Sequence, residues 1–410
     1  MRIGIITESF PPEVNGVANS VLRVAGHLLA RGHQPLVIAP EPSPGTPAAA
    51  DPPGYPVLRV PSVSFPGYRA VRLGLGGGPG TTQIRGWLAD HRADLVHLAS
   101  PFILGARGGK AARQLGLPAV AVYQTDVPGY ARAYHYGRAA EALAWRWVRR
   151  IHNGAARTLA PSTDSAQRLR EHGVERVWMW GRGVDCQRFR PSARSEELRR
   201  TLAPGGEVLV GYVGRLANEK QVDLLAPVAG LSGARLVIVG SGPAEARLRR
   251  LMPAALFLGQ HRGEQLARIY ASLDVFVHSG CHETFGQTIQ EAAASGLPVV
   301  APAAGGPVDL VQDGVTGYLV TPGDAAALAG AAARLVADPA ARAAQGRAGR
   351  ERVLVRSWTA VGDALIGHYT AVLAGGQEPG QPARSRAISA IPCPQEDSRA
   401  TGRNAVPDLV

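Results

Sequence analysis

The sequence His282-Glu283-Thr284-Phe285-Gly286-Gln287-Thr288-Ile289-Gln290-Glu291 places two glutamates eight residues apart, with a Phe-Gly pair between them. It follows a short apolar run, 275–278, and leads into a helical pattern, 289–295. A strand, a turn of small residues and a helix start form an anion site, because free backbone N–H groups and the helix dipole both favour negative charge. The glutamates repel a phosphate but accept hydrogen bonds from hydroxyls. The stretch therefore predicts hydroxyls held beside a phosphate, as in a nucleotide sugar.

On both sides of this stretch, short β-branched runs alternate with amphipathic helical segments, which is typical of parallel sheets built from βαβ units. The predicted strands of the first half cover residues 3–7, 35–39, 57–60, 95–98, 119–123, 158–160 and 177–179. The predicted helices between them include 17–31, 102–115, 138–153 and 163–172. A second series of strands covers residues 208–213, 236–239, 255–258, 275–278, 299–301 and 318–320.

The two series predict an α/β fold with two Rossmann-like domains facing each other across a cleft. The periodicity fades near residues 185–205, which we expect to be the hinge. Residues 41–56, rich in Pro and Ala, are predicted to be a loop. The expected units are a first domain, a second domain, a last helix that could join either domain, and a disordered tail, at residues 1–190, 191–357, 358–374 and 375–410.

The net charge of +12 lies almost entirely in the first half of the chain. Residues 1–190 carry 23 Lys and Arg against 12 Asp and Glu, whereas residues 191–410 carry 21 against 20. This asymmetry indicates an anionic partner for one domain: a membrane surface, an acidic substrate or nucleic acid. The alternative is an Arg-rich genome with solvated faces.

The predicted helix 138–153 combines tryptophans and arginines, namely Trp145, Trp147, Arg146, Arg149 and Arg150. This composition suits a membrane interface, and a buried Trp face opposite a solvated Arg face is the alternative. No apolar run approaches the ~20 residues needed to span a bilayer, and the chain enters its first predicted strand at once. The three cysteines, Cys186, Cys281 and Cys393, form no CxxC pair. We therefore expect a cytoplasmic protein.

Two further loops follow predicted strands and carry groups suited to a phosphate. Residues 8–18 contain Gly16 at a helix start, where a phosphate can approach the backbone N–H with no side chain in the way. Residues 213–220 contain Arg215 and Lys220, two cations suited to a diphosphate. An ordinary βα loop in the first case, and a surface ion pair with the neighbouring glutamate in the second, are the alternatives.

The sequence contains no Asp-x-Asp and no His/Asp/Glu cluster with metal spacing. The cations Arg215 and Lys220 and a helix N-terminus would therefore take the place of a metal clamp on a diphosphate. The glycine turns 240–243 and 305–307 also follow strands, and each could line a nucleotide site or form a tight βα turn.

Polar residues after the strand 119–123 would face the cleft between the domains. Gln124 and Asp126 are candidates to orient a sugar or an acceptor. A helix cap by Thr125 or Asp126 is the alternative. His97 lies within an apolar strand and is expected to be a packed core residue.

Together these motifs resemble the retaining glycosyltransferases of family 4, which have the GT-B fold, over about residues 1–374. The most specific block runs from Glu283 through Ala292-Ala293-Ala294-Ser295-Gly296-Leu297-Pro298-Val299-Val300 to Asp313-Gly314-Val315-Thr316-Gly317. Within the family, residues 123–129 and 285–291 look most like the actinobacterial GDP-mannose-dependent α-mannosyltransferases, which act on glycolipids at the inner membrane face.

The resemblance implies roles for individual residues and no requirement for a metal or other cofactor. The implied donor-binding residues are Gly16, Arg215, Lys220, Phe285, Gly286, Gln287 and Glu291. Glu283 would hold the hydroxyls of the transferred sugar, and Glu291 would bind the ribose.

The chain departs from the family at one implied catalytic position. Many relatives have a histidine where Gln124 stands, and glutamine can hydrogen-bond but cannot take a proton. Asp126 is the nearest ionisable substitute, so Glu283, Asp126 and Gln124 are the expected catalytic residues.

We therefore predict a glycosyltransferase that moves a hexose, mannose from GDP-mannose in the first instance, to a lipid acceptor. The first domain would face the acceptor and an anionic membrane at the cytoplasmic face, the second would hold the donor, and no nucleic acid is expected as a partner. The alternatives are a UDP-sugar donor, an enzyme like the UDP-GlcNAc 2-epimerases, and a nucleotide-sugar-binding protein without transfer.

Overall fold

The structure is a computed structural model that describes residues 1–13, 15–42, 54–65, 68–74, 80–99, 102–133 and 136–375. Most of the predicted loop 41–56, and all of the predicted tail 375–410 except Gly375, lie outside the described residues.

The first domain is built on a seven-stranded parallel sheet with a small antiparallel hairpin beside it. The strands in chain order are β1 (Arg2–Ile6), β2 (Gln34–Pro40), β3 (Val57–Val60), β4 (Ser62–Phe65), β5 (Tyr68–Gly74), β6 (Leu95–Leu98), β7 (Ala119–Val122), β8 (Arg157–Ala160) and β9 (Val177–Met179). The sheet order is β3-β2-β1-β6-β7-β8-β9, and β4 pairs with β5 to form the hairpin. The hairpin is absent from the sequence prediction.

The second domain is built on a six-stranded parallel sheet. Its strands are β10 (Val208–Val213), β11 (Ala234–Val239), β12 (Leu256–Gly259), β13 (Val275–Val277), β14 (Val299–Pro302) and β15 (Gly317–Val320). The order is β12-β11-β10-β13-β14-β15, which is the Rossmann arrangement, as in the first domain. The predicted α/β fold with two Rossmann-like domains is confirmed, and every predicted strand is present to within two residues.

Helices cover the faces of both sheets. In the first half they are α1 (Gly16–Ala30), α2 (Gly80–Asp90), α3 (Ile103–Gln114), α4 (Val127–Ala133), α5 (Gly137–Asn153) and α6 (Thr163–Glu171). In the second they are α7 (Glu196–Leu202), α8 (Ala226–Ala229), α9 (Glu245–Leu251), α10 (Gly263–Ser272), α11 (Gln287–Ala294), α12 (Pro307–Leu310), α13 (Ala325–Ala337), α14 (Pro339–Leu354) and α15 (Trp358–Leu373).

Helix α1 shows how the sequence period produces this layering. Val21, Ala25 and Leu28 recur at spacings of three and four, so they share one face of the helix. That face is buried in the core formed with β1 residues such as Ile3 and Ile5. The same burial holds α1 with its N-terminus at the carboxyl end of β1.

Helix α15 belongs to the first domain, although it follows the second domain in sequence. Leu365 and Tyr369 are buried in the same core cluster as β1. Tyr369 OH lies 2.6 Å from Nδ1 of His97 on β6, so His97 is a packed core residue, as the sequence predicted. The chain crosses back beside its first crossing, where Val184 N donates to the Arg356 carbonyl at 2.9 Å.

Candidate active site

The loops that follow β10 and β13 meet at the point where the strand order of the second sheet reverses. Open α/β sheets bind ligands at this position. Lys220 Nζ lies 2.7 Å from Glu283 Oε2. Ser279 Oγ donates to the Lys220 carbonyl at 2.8 Å, so a hydrogen bond from side chain to backbone also joins the two loops.

Glu283 is held as a carboxylate by its neighbours. Burial favours the neutral acid, but the charge of Lys220, together with His278 and Arg182, outweighs burial and lowers the Glu283 pKa to about 2. His278 Nε2 lies 4.0 Å from Glu283 Oε2, and burial lowers the His278 pKa to about 4. Glu283 is therefore an anionic hydrogen-bond acceptor at neutral pH.

Arg215 forms an ion pair with Glu219, whose side chain is 1% exposed. The ion pair considered as an alternative in the sequence is thus present. Arg215 remains 34% exposed and lies in the same loop as Lys220. The loop supplies two cations to the strand-reversal point, each beside a carboxylate.

The Phe285–Gly286 turn leads directly into α11. Gly286 has φ of +100°, a left-handed conformation that favours glycine, at the N-terminal end of the helix. Gly306 packs against this turn, because a Cβ there would lie 2.0 Å from the Phe285 carbonyl oxygen. The Gly306 N–H also donates to the Glu283 carbonyl at 2.7 Å. The glycine turn 305–307 therefore supports the loop that carries Glu283.

The other glycine turn, 240–243, has a similar supporting contact. A Cβ at Gly242 would lie 2.3 Å from the Leu216 carbonyl oxygen, and the Leu216 N–H donates to the Ser241 carbonyl at 3.0 Å. The turn after β11 thus fixes the backbone that carries Arg215.

Glu291 lies one turn along α11 in a site that disfavours its charge. Burial raises its pKa to about 7, although hydrogen bonds from Tyr270 and Gln287 and the charge of Arg188 act in the opposite direction. Gln287 Nε2 lies 3.5 Å from Glu291 Oε1. Hydroxyl donors would add hydrogen bonds to this carboxylate and so favour its charged form.

The opposite wall comes from the first domain and contains a buried cation, Arg182. Its Nη1 donates to the Gly16 carbonyl at 3.1 Å, and its Nη2 donates to Gln124 Oε1 at 2.6 Å. The other end of the Gln124 amide donates to the Ala99 carbonyl at 2.6 Å. At the start of α1, Asn15 accepts from the two amides after Gly16.

Asp126 is engaged in structural contacts. Its carboxylate accepts from Tyr123 OH, from the Gly129 N–H and from Arg168, at 2.8, 2.9 and 2.6 Å. Burial favours the neutral acid, but Arg168 lowers the Asp126 pKa below its usual value. These contacts correspond to the helix-cap alternative, because each of them engages the Asp126 carboxylate within the first domain.

Polar contacts hold the two domains together around the cleft. Asp309 on α12 accepts from the Thr163 N–H and from Thr163 Oγ1, both at 2.6 Å. Asp309 therefore caps α6 of the other domain. Ser165 Oγ donates to the Thr284 carbonyl at 3.3 Å.

The structure brings most of the predicted site residues to one cleft, but sequence reasoning missed two residues there. Arg182 lies between two glycines directly after β9, and this Gly-Arg-Gly signal could have marked it. His278 ends the predicted strand 275–278 and was treated only as part of that strand. No group of three or more His, Cys, Asp or Glu suited to a metal ion occurs in the described ranges.

Comparison with known families agrees with this geometry. Residues 14–188 match the model for Glycosyltransferase Family 4, and residues 193–352 match Glycosyl transferases group 1. The chain belongs to this class of glycosyltransferases, whose solved members have the GT-B fold.

Two curated relatives match nearly their whole length. The chain is 52% identical over 377 residues to the GDP-mannose-dependent alpha-mannosyltransferase of Mycolicibacterium smegmatis, which covers 91% of this chain and 98% of the relative. It is 46% identical over 375 residues to the protein of that name from Corynebacterium glutamicum, covering 91% and 90%.

Solved structures with the same fold are more distant in sequence. Sucrose-phosphate synthase from Thermosynechococcus elongatus superposes with a TM-score of 0.75 at 24% identity, covering 91% of this chain and 99% of that one. HepE from Anabaena, in complex with UDP and glucose, gives a TM-score of 0.72 at 19% identity, covering 90% and 100%. At these identities the likeness concerns the fold alone.

Proposed function

We propose that this glycosyltransferase transfers mannose from GDP-mannose to a lipid acceptor with retention of configuration. The proposal depends above all on the Lys220–Glu283 pair at the strand-reversal point of the second sheet. A cation for phosphate lies beside an ionised acceptor for hydroxyls. These two groups match the diphosphate and the sugar of a nucleoside-diphosphate sugar. Relatives that are 46% and 52% identical are GDP-mannose-dependent alpha-mannosyltransferases, which supports mannose and GDP as the donor groups.

The donor's negative charge would be met by protein groups, without a metal ion. Lys220 and Arg215 supply two cations, and the N-terminus of α11 adds a dipole at the Phe285–Gly286 turn. Activity retained in excess EDTA is the expected result. Activity that disappears and returns with Mg²⁺ or Mn²⁺ would contradict this part of the proposal.

The lipid acceptor is supported by the exposed surface of α5. Leu143 and Trp147 lie one turn apart and are 67% and 39% exposed. Arg138, Arg146 and Arg149 line a neighbouring surface cavity of about 530 Å³, and Glu141 and Glu171 also line it, so three arginines face two glutamates there. Exposed apolar side chains beside arginines match the interface of an anionic membrane. Trp145 is buried, so the two tryptophans of this helix have different roles.

None of the described helices is both long enough and apolar enough to cross a bilayer. The proposed contact with the membrane is a surface contact through the exposed side chains of α5. Binding to anionic vesicles should weaken with salt and should weaken further in a Leu143→Ser/Trp147→Ser variant. Leu251→Ser, at a 48% exposed position in the second domain, is the matched control. Equal binding to neutral vesicles would contradict the charge argument.

The donor and acceptor are tested together with the purified full chain. Labelled GDP-mannose, GDP-glucose, UDP-glucose and UDP-GlcNAc are each incubated with a total lipid extract, and the lipid product is analysed for anomeric configuration. The expected outcome is an α-mannosyl lipid formed from GDP-mannose. A glycolipid formed only from a UDP-sugar, or turnover of the nucleotide sugar without lipid, would overturn the proposal.

A further inference from the structure

The segment Gly181-Arg182-Gly183 joins the two domains, because its backbone carbonyls accept hydrogen bonds from side chains of the second domain. From α11 of the second domain, Gln290 Nε2 donates to the Arg182 carbonyl at 2.9 Å. Gln287 Nε2 donates to the Gly183 carbonyl at 3.2 Å. Because α11 begins directly after the Phe285–Gly286 turn, these two amides dock the loop 283–286 on this segment.

The side chain of Arg182 makes its contacts within the first domain. Its two terminal nitrogens bind the Gly16 carbonyl and the Gln124 side chain, as described above. A side chain at Gly16 would lie against this guanidinium, because a Cβ there would be 3.1 Å from Nη1. One residue therefore fixes two parts of the cleft wall, the turn before α1 and the amide of Gln124.

Arg182 is a buried cation held by neutral oxygen atoms. It is 9% exposed, and it takes part in no salt bridge within 4.0 Å among the described residues. A buried guanidinium without an ionic partner is costly, and a function at that position explains its presence. Burial lowers its pKa to about 10, and the nearby charge of Glu283 opposes that shift. The field of Arg182 thus reaches the donor site.

We propose that Arg182 is a positioning residue for glycosyl transfer, which holds Gln124 and the Gly16 turn against the donor while α11 docks on its backbone. This inference rests on the proposed donor site. Of the residues assigned to the donor, only Gly16 lies in the first domain, whereas the two cations for the diphosphate, Arg215 and Lys220, lie in the second, so loss of Arg182 should act on turnover more than on nucleotide binding. A misplacement of the reacting groups by about 1 Å costs on the order of 100-fold in rate.

The test compares Arg182→Met, Arg182→Lys and Arg190→Met in the full chain, with GDP-mannose and the lipid extract as substrates. Arg190 is an exposed arginine eight residues further on, and it serves as the control. We expect kcat of Arg182→Met to fall by about 100-fold, with KM for GDP-mannose and the Kd for GDP close to wild type. Arg182→Lys should recover part of kcat, because it restores the charge but not the planar fork.

A kcat of folded Arg182→Met equal to wild type would overturn the inference. If Arg182→Met does not fold, Gln124→Leu and Gln290→Leu each remove one contact while Arg182 stays in place. Each should lower kcat by about tenfold at unchanged GDP affinity, and unchanged kcat in both would overturn the inference. Absence of transfer by the wild-type protein with any donor would instead contradict the proposed function.

Discussion

Lys220 and Glu283 form an ion pair of 2.7 Å between the loops that follow β10 and β13. The side chains are 23% and 20% exposed, so solvent only partly screens them. Each charge therefore depends on the other in the absence of a ligand. A bound nucleotide sugar would bring a new partner to each side chain. Its phosphate oxygens would contact Lys220, and its sugar hydroxyls would contact Glu283.

We expect Glu283→Gln to lower transfer by about 100- to 1000-fold, because Gln keeps an acceptor for Lys220 but removes the charge. The folded state favours the carboxylate, with a pKa of about 2 against 4.5, so loss of this charge should also cost about 1–3 kcal/mol of unfolding free energy at neutral pH. Glu283→Ala leaves Lys220 without a partner and should cost a further ~1–3 kcal/mol of unfolding free energy. Transfer assays and urea unfolding measure the two effects. Glu264→Gln, 78% exposed, is the control. Full activity of Glu283→Ala would refute the site assignment.

Glu291 predicts a dependence of stability on pH. Its pKa is about 7 in the folded protein against 4.5 for the ordinary group, so the folded state binds its proton more tightly. This stabilising contribution is complete below pH 4.5 and is lost as the pH rises through 7. Relative to wild type, Glu291→Gln should therefore gain about 1–3 kcal/mol over that interval.

Urea unfolding of the nucleotide-free protein at several pH values measures this gain. Glu351→Gln, at an exposed position on α14, is the matched control. A difference between Glu291→Gln and wild type that does not change with pH would show that Glu291 has no raised pKa.

Gly306→Ala should destabilise the loop 283–286, because the new Cβ would overlap the Phe285 carbonyl oxygen. We expect a loss of about 1–3 kcal/mol in unfolding free energy and reduced transfer. Gly330→Ala is a control of opposite sign. It is exposed on α13 with nothing within 4 Å of the added atom, so Ala should stabilise by about 0.5–1 kcal/mol. Equal stability of the two variants would contradict the packing argument.

Asp309→Ala should shift the protein towards a more open arrangement of the domains, because both contacts to Thr163 are lost. The expected cost to the closed state is about 1–2 kcal/mol. Small-angle scattering with and without GDP detects the opening of the domains as a larger radius of gyration. Asp338→Ala also removes a helix cap, but within the second domain, so it should lower stability without opening the cleft. The same scattering change in both variants would contradict an interdomain role.

The sequence predicted the strands and the loops after them because short β-branched runs and the 3.6-residue period of amphipathic helices are local patterns. Glu283 and Lys220 could be assigned to one site because each follows a predicted strand of the second series, where open α/β sheets bind ligands. Contacts between distant positions could not be predicted in this way. A hydrogen bond that engages the Asp126 carboxylate comes from Arg168, 42 residues later in the chain. The position of α15 depends on Tyr369 meeting His97 across 272 residues.

The return of α15 has a consequence for protein synthesis. The ribosome makes all strands of the second domain before it makes Leu365 and Tyr369, which complete the core around β1. Domains generally fold as units while the chain emerges, and the first domain usually finishes first. Here the order is reversed, since the domain that begins first is completed last. A stalled chain ending after α14 would hold a finished second domain and an unfinished first domain.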